Sequence, residues 1–189
     1  MAKRYLTRLQ TKLQNQKKRK YTHNTYSDIS QINDHIYIGN KHVAANINQL
    51  QEHGITHVVN CAEELEYIVQ SYDETMNWLF LPMIDCRYEG NVVDYIPQAI
   101  EFIDLAITNN HKVLIHCAAG ISRSGAVGLF CCRYFDLDQK EFRRLNSQIT
   151  PNLHVLNVLN KESGIDDDYI KFWSKLCIRK DVTKRIKFI

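Results

Sequence analysis

Val113-Leu114-Ile115-His116-Cys117-Ala118-Ala119-Gly120-Ile121-Ser122-Arg123-Ser124-Gly125 is the stretch from which the rest of the chain can be read. Its Val113-Leu114-Ile115 core is apolar on both faces, the pattern of a central parallel strand covered on two sides. The strand runs into Cys117, five residues form a loop, and Arg123 opens a helix. In open α/β sheets ligands bind outside the carboxyl ends of the strands, which is where such a loop lies.

On either side of this stretch short strands alternate with amphipathic helices. Strands are expected at His35–Ile38, Thr56–Cys61, Trp78–Met83 and Lys112–His116. Helices are expected at Val43–Glu52, Tyr95–Ile107, Arg123–Phe135 and Gln139–Ser147, the second carrying Ile96, Ala99, Ile100, Ile103 and Ile107 on one face. Thr150-Pro151-Asn152 breaks the chain and opens a further helix, and a last one begins at Asp166-Asp167-Asp168. Acids at a helix start suit its dipole, so that triplet reads as capping rather than as a calcium loop. The fold class is therefore α/β, a central and mainly parallel sheet flanked by helices.

With 189 residues the chain has room for one well-packed domain and an appendage. Hydrophobic residues at 44% with only 7 Gly and 3 Pro exclude collagen-like and disordered classes. No apolar run approaches the roughly 18 residues of a membrane span, and the N-terminus lacks an apolar signal core. Six cysteines without C-x-x-C spacing point to reduced intracellular thiols, with neither a disulfide framework nor a zinc ribbon. His53 and His57 are separated by Gly54, which argues against a helical ligand pair, so no metal is expected.

The net charge of +3 hides a segregation. Residues 1–20 carry eight Lys/Arg and no acid, and residues 171–189 carry seven against Asp181 alone. Residues 21–170 hold 9 basic against 20 acidic residues, a formal −11 that would repel RNA. Tyr5, Leu6, Leu9 and Leu13 fall at helical spacing, so residues 5–16 read as an amphipathic helix, broken by Lys17-Lys18-Arg19-Lys20. Its narrow apolar stripe needs a docking surface: this subunit, a second copy in a homodimer, or a membrane. The basic run reads equally as a nuclear-import patch or a solvated tail. The resulting division is 1–24 basic helix and linker, 25–178 catalytic domain, and 179–189 basic tail, in a cytoplasmic or nuclear protein.

The loop residues carry chemistry. Amides of a tight loop at a helix N-terminus form an anion nest, and Gly120 lets the backbone come close. The expected binding set for a phosphate is His116, Ala118, Ala119, Gly120, Ile121, Ser122 and Arg123. Arg123 offers a planar fork of donors to two phosphate oxygens at once. Thiols at helix N-termini or beside cations reach pKa values of roughly 3.5–7.5, so Cys117 should be an ionised nucleophile. The amides and Arg123 would then stabilise the transferring phosphoryl group without metal or other cofactor.

These residues resemble the H-C-x-x-G-x-x-R-[ST] signature of the cysteine-based protein phosphatases, and Ala118-Ala119-Gly120-Ile121-Ser122-Arg123-Ser124-Gly125 looks like the dual-specificity branch. Ile36-Tyr37-Ile38-Gly39-Asn40 resembles the family's first strand, Ile55–Cys61 its next, and Pro151-Asn152 its break before a late helix. In layout the chain is most similar to the small poxvirus-type enzymes, which would place it in a host cell or virion. The resemblance implies a general acid on the loop before the long helix. Leu79-Phe80-Leu81-Pro82-Met83-Ile84-Asp85 puts Asp85 there, and Asp94, the competing residue, reads as an N-cap for the helix at Tyr95. It also implies that Ser124 assists departure of the thiolate from a phosphocysteine. His116 is expected to orient the loop through hydrogen bonds or to be a satisfied structural histidine. Cys86, beside Asp85, is a candidate redox partner of Cys117.

The implied function is hydrolysis of phosphotyrosine and phosphoserine/threonine in phosphoprotein substrates. An RNA 5′-phosphatase and a non-catalytic phosphate-binding adaptor are the alternatives. The acidic middle of the chain opposes the first, and the joint presence of Cys117, Arg123 and Asp85 opposes the second.

Overall fold

The computed structural model of the chain describes residues 29–86 and 96–162. The helix read over 5–16, the Asp166–Asp168 helix start, Asp94 and both basic ends lie outside the described residues.

Five strands form one sheet: β1 (Ser30–Gln31), β2 (Ile36–Gly39), β3 (His57–Asn60), β4 (Asn77–Phe80) and β5 (Val113–His116). The order is β1-β2-β5-β3-β4, with β1 antiparallel to β2 and every other pair parallel. All four residues of β5 are buried, in agreement with the apolar Val113-Leu114-Ile115 run. The chain passes from β2 to β3 leaving a gap that β5 later fills, pairing Gly39 with His116 on one side and Asn60 with His116 on the other. The carboxyl ends of three parallel strands therefore converge where the Cys117 loop begins, the crevice position of an α/β sheet.

The expected helix over Val43–Glu52 is two short ones, α1 (Lys41–Ala44) and α2 (Ile47–Glu52). Asn40 and Asn46 explain the split. The Asn40 side chain accepts from the amides of His42 and Val43, and that of Asn46 from Gln49, so each asparagine starts a new helix. A 310 segment, Glu63–Ser71, for which the sequence offered no clear period, follows β3. Next comes α3 (Ile96–Thr108), whose Ala99, Ile103, Ala106 and Ile107 are buried at helical spacing. α4 (Arg123–Tyr134), α5 (Gln139–Leu145) and α6 (Leu153–Glu162) complete the described elements. No helix among the described residues is long and apolar enough to cross a membrane.

α4 determines how the Cys117 loop leaves the sheet. Every residue from Arg123 to Cys132 is buried, because α4 packs on β2 and β5 on one side and on α5 and α6 on another. Gly125 and Gly128 permit the close approach. A Cβ on Gly125 would stand 2.7 Å from Ile149, and one on Gly128 would collide with Ile38. Cys131 and Cys132 are core residues of this helix, as their apolar surroundings in the sequence suggest.

Gly128→Val should overpack the contact between α4 and β2, at roughly 1–3 kcal/mol or more. Chemical denaturation should show the midpoint falling with an unchanged slope, and an unchanged midpoint would contradict the packing described.

Candidate active site

The loop from Cys117 to Ser122 is held from two sides by its carbonyls. On one side the Ala118 carbonyl accepts from the Lys41 amide at the start of α1 at 3.3 Å. On the other, the Ile121 and Ser122 carbonyls accept from the amides of Thr150 (3.1 Å) and Asn152 (3.0 Å), just ahead of α6. Gly120 has φ +70°, and a Cβ there would lie 2.8 Å from the Gly39 carbonyl oxygen. Only glycine meets both conditions. With its carbonyls engaged outward, the loop turns the amides of Gly120, Ile121 and Ser124 toward the Cys117 sulfur.

Burial opposes ionisation of the Cys117 thiol. Hydrogen bonds from the Ser124 hydroxyl, whose oxygen is 3.2 Å from the sulfur, and from the three amides outweigh it and hold the pKa below the ordinary cysteine value. The other buried thiols move the opposite way. Cys131 is pushed up to about 12 by burial, and Cys132 and Cys61 are raised well above the usual value. Of these four buried thiols only Cys117 is favoured as an anion.

Arg123 is only 3% exposed. Its Nη1 donates to Glu64 Oε2 (2.7 Å) and to the Met83 carbonyl (2.9 Å), and its Nη2 donates to Glu64 Oε1 (2.5 Å). The guanidinium in turn holds the Glu64 carboxyl below its usual range. Nε, buried, has no hydrogen-bond partner among the described residues, and Asp85 Oδ2 stands 3.8 Å from it.

Asp85 is brought to the loop as the sequence leads one to expect. Its Oδ1 accepts from the Ser122 hydroxyl and from Asn152 Nδ2, both at 2.8 Å. Asn152 is 5% exposed and also caps α6 by accepting from the Val155 amide at 3.1 Å. One asparagine therefore ties together the acid, the loop and the following helix. In the sequence Pro151-Asn152 was legible only as a helix break.

His116 is fully buried at the end of β5. Burial, with the nearby Arg123 charge, lowers its pKa to about 4 against the raising effect of a hydrogen bond with the Cys117 backbone, so the ring is neutral. Cys86 is half-buried, and its carbonyl accepts from Asn152 Nδ2 at 3.3 Å. The thiol that follows Asn60 in register beside His116 and Cys117 is Cys61, whose amide donates to the His116 carbonyl at 2.8 Å.

Glu64 is the site residue that sequence reasoning missed. Glu63-Glu64-Leu65-Glu66 reads as an exposed acidic run, and nothing local marks the second glutamate as the partner of an arginine 59 residues away. Among the described residues there is no cluster of His, Cys, Asp and Glu suited to a metal ion.

Known proteins are similar to this chain in sequence and in fold. The family described as dual specificity phosphatase, catalytic domain, matches residues 36–162. Human dual specificity protein phosphatase 9 is 30% identical over 134 residues, covering 68% of this chain and 34% of that protein. Similarity to the Drosophila melanogaster protein phosphatase Slingshot covers 73% of this chain and 13% of that protein, so the chain spans about a third of one relative and less of the other. The crystal structure of the human tyrosine phosphatase-like serine/threonine/tyrosine-interacting protein superposes with a TM-score of 0.60 at 26% identity, covering 73% of this chain and 97% of that one. OH1 of Orf virus, a tyrosine phosphatase, shares the fold with a TM-score of 0.57 at 18% identity, over 84% of this chain and 96% of its own. A match over residues 36–162, with the Cys117 loop and Arg123 inside it, shows that the chain belongs to the dual specificity phosphatase catalytic-domain family.

Proposed function

We propose that this chain is a protein phosphatase that hydrolyses phosphotyrosine and phosphoserine/threonine through a phosphocysteine intermediate. The observation that carries the reading is the Cys117 sulfur, favoured as an anion by three amides and the Ser124 hydroxyl at the end of a buried strand. Family membership supports the reaction class. Phosphoprotein substrates are part of the same proposal.

In the proposed first step the Cys117 thiolate attacks phosphorus in line while the bond to the leaving oxygen breaks. The loop amides and Arg123 take the charge of the equatorial oxygens. An alkoxide or phenolate leaves poorly at neutral pH, so the leaving oxygen takes a proton from Asp85. Both donors to Asp85 fall on Oδ1, which leaves Oδ2 to carry that proton. In the second step water attacks the phosphocysteine, giving its proton to the Asp85 carboxylate. The sulfur leaves as a thiolate that accepts from the Ser124 hydroxyl, and inorganic phosphate is released.

Cys117→Ser should abolish turnover of a phosphotyrosine peptide and still bind it, as calorimetry can measure; retained turnover would dismiss the mechanism. A triphosphorylated RNA oligonucleotide assayed beside that peptide should be the poorer substrate. Asp85→Asn should lose about 10²–10⁴-fold in turnover on phosphoserine and phosphotyrosine peptides and far less on an aryl phosphate with a good leaving group. Iodoacetamide should alkylate one thiol at a pH below the ordinary cysteine range, with the Cys131 and Cys132 peptides unmodified by mass spectrometry. Ser124→Ala removes a contact that favours the anion, so that alkylation profile should move to higher pH.

A further inference from the structure

We infer that the sheet edge at β4, together with the outer side of the 310 segment, is the docking surface for residues 5–20 of this same chain. Tyr37, Leu114, Val58 and Trp78 pair in register across β2, β5, β3 and β4, so their side chains share one face of the sheet. That face has a thin cover. Val43 of α1 packs where a Cβ on Gly39 would lie, His53 at the end of α2 meets the Tyr37 ring edge-on at 6.0 Å, and Asn60 Nδ2 donates to the Leu65 carbonyl of the 310 segment. The longer α3 and α4 are on the opposite face, against His57 and Ile38. The cover stops short of the edge. Trp78 on β4, which borders only β3 among the described strands, is 49% exposed, and Tyr67 on the 310 segment is 58% exposed.

Charge identifies the occupant. Residues 61–86 contain six acids and no Lys or Arg. Glu64 and Asp85 are engaged at the Cys117 loop, which leaves Glu63, Glu66, Asp73 and Glu74, all exposed, on the chain around Tyr67 and Trp78. Residues 1–20 are the complement: eight Lys/Arg, no acid, and an apolar stripe of Tyr5, Leu6, Leu9 and Leu13 flanked by Arg8 and Lys12. The chain is long enough to reach. β1 and β4 are opposite edges of the sheet, about 19 Å apart at the usual strand spacing, and residues 17–28 extend to roughly 40 Å. So short a tether holds the segment at a millimolar effective concentration, which favours its own chain over a second copy in dilute solution. The acids on α3, Glu101 and Asp104, flank only one exposed large hydrophobic residue among the described residues, Leu105, and offer the stripe less.

Zero-length carbodiimide cross-linking of the full chain is the test, because it joins a lysine amine to a carboxylate only where the two touch. Mass spectrometry should find cross-links from Lys12, Lys17 or Lys18 to Glu63, Glu66, Asp73 or Glu74. An equal mixture of light and heavy isotope-labelled chains should give no mixed products. Leu9→Asp and Trp78→Ser leave all of those amines and acids in place, yet each should remove the cross-links, and high salt should reduce them. Cross-links that survive both variants would overturn the inference, as would their transfer to Glu101 and Asp104. Mixed-isotope products would assign the segment to a second copy and reject the proposal. Absence of cross-links would reject it too, and sedimentation with phosphatidylserine vesicles would then give the stripe to a membrane. Should Trp78→Ser fail to fold, Leu9→Asp, outside the described residues, decides by the same criteria.

Discussion

A single buried sulfur has to be more comfortable as an anion than as a thiol, and burial alone pushes the other way. The balance is tipped by the direction of a few peptide groups. The loop's carbonyls are tied outward, to Lys41 on one flank and to Thr150 and Asn152 on the other, so its amides have only the inside to point at. Gly120 makes the turn that this requires, against the backbone of Gly39. Three distant segments therefore hold a geometry that a free loop of this length would not keep.

The sheet supplies the place. Because β5 slots between β2 and β3, the ends of three parallel strands open on one spot, and the buried helix α4 carries the chain straight back under the sheet. A helix so thoroughly covered needs small residues at its contacts, which Gly125 and Gly128 provide. Packing of the core and direction of the loop are one problem here. A side chain added at α4 would shift the helix whose first residue is Arg123.

Charge around the loop is arranged in pairs. The Arg123 cation answers the Cys117 anion and is itself held by Glu64, while Asp85 sits at the open side of the guanidinium, bound by neutral donors from Ser122 and Asn152. A buried charge left without a partner is costly, and Glu64 gives Arg123 that partner. In the proposed reaction Arg123 meets the phosphoryl group.

The sequence by itself determined the buried strand, the cysteine at its end, the glycine in the loop and the arginine that starts α4, because all of these are local: periodicity, spacing and the conformational freedom of one residue. Asp85 was legible only through a family resemblance, and the split of the Val43–Glu52 helix could have been read from Asn46, a residue suited to capping. Tertiary structure alone decided the rest. Glu64 meets Arg123 across 59 residues and Asn152 meets Asp85 across 67, and no periodic pattern encodes a pairing at that range. His116 shows the same limit from the other side, since whether a histidine is charged depends on what the fold packs around it, and here burial keeps it neutral.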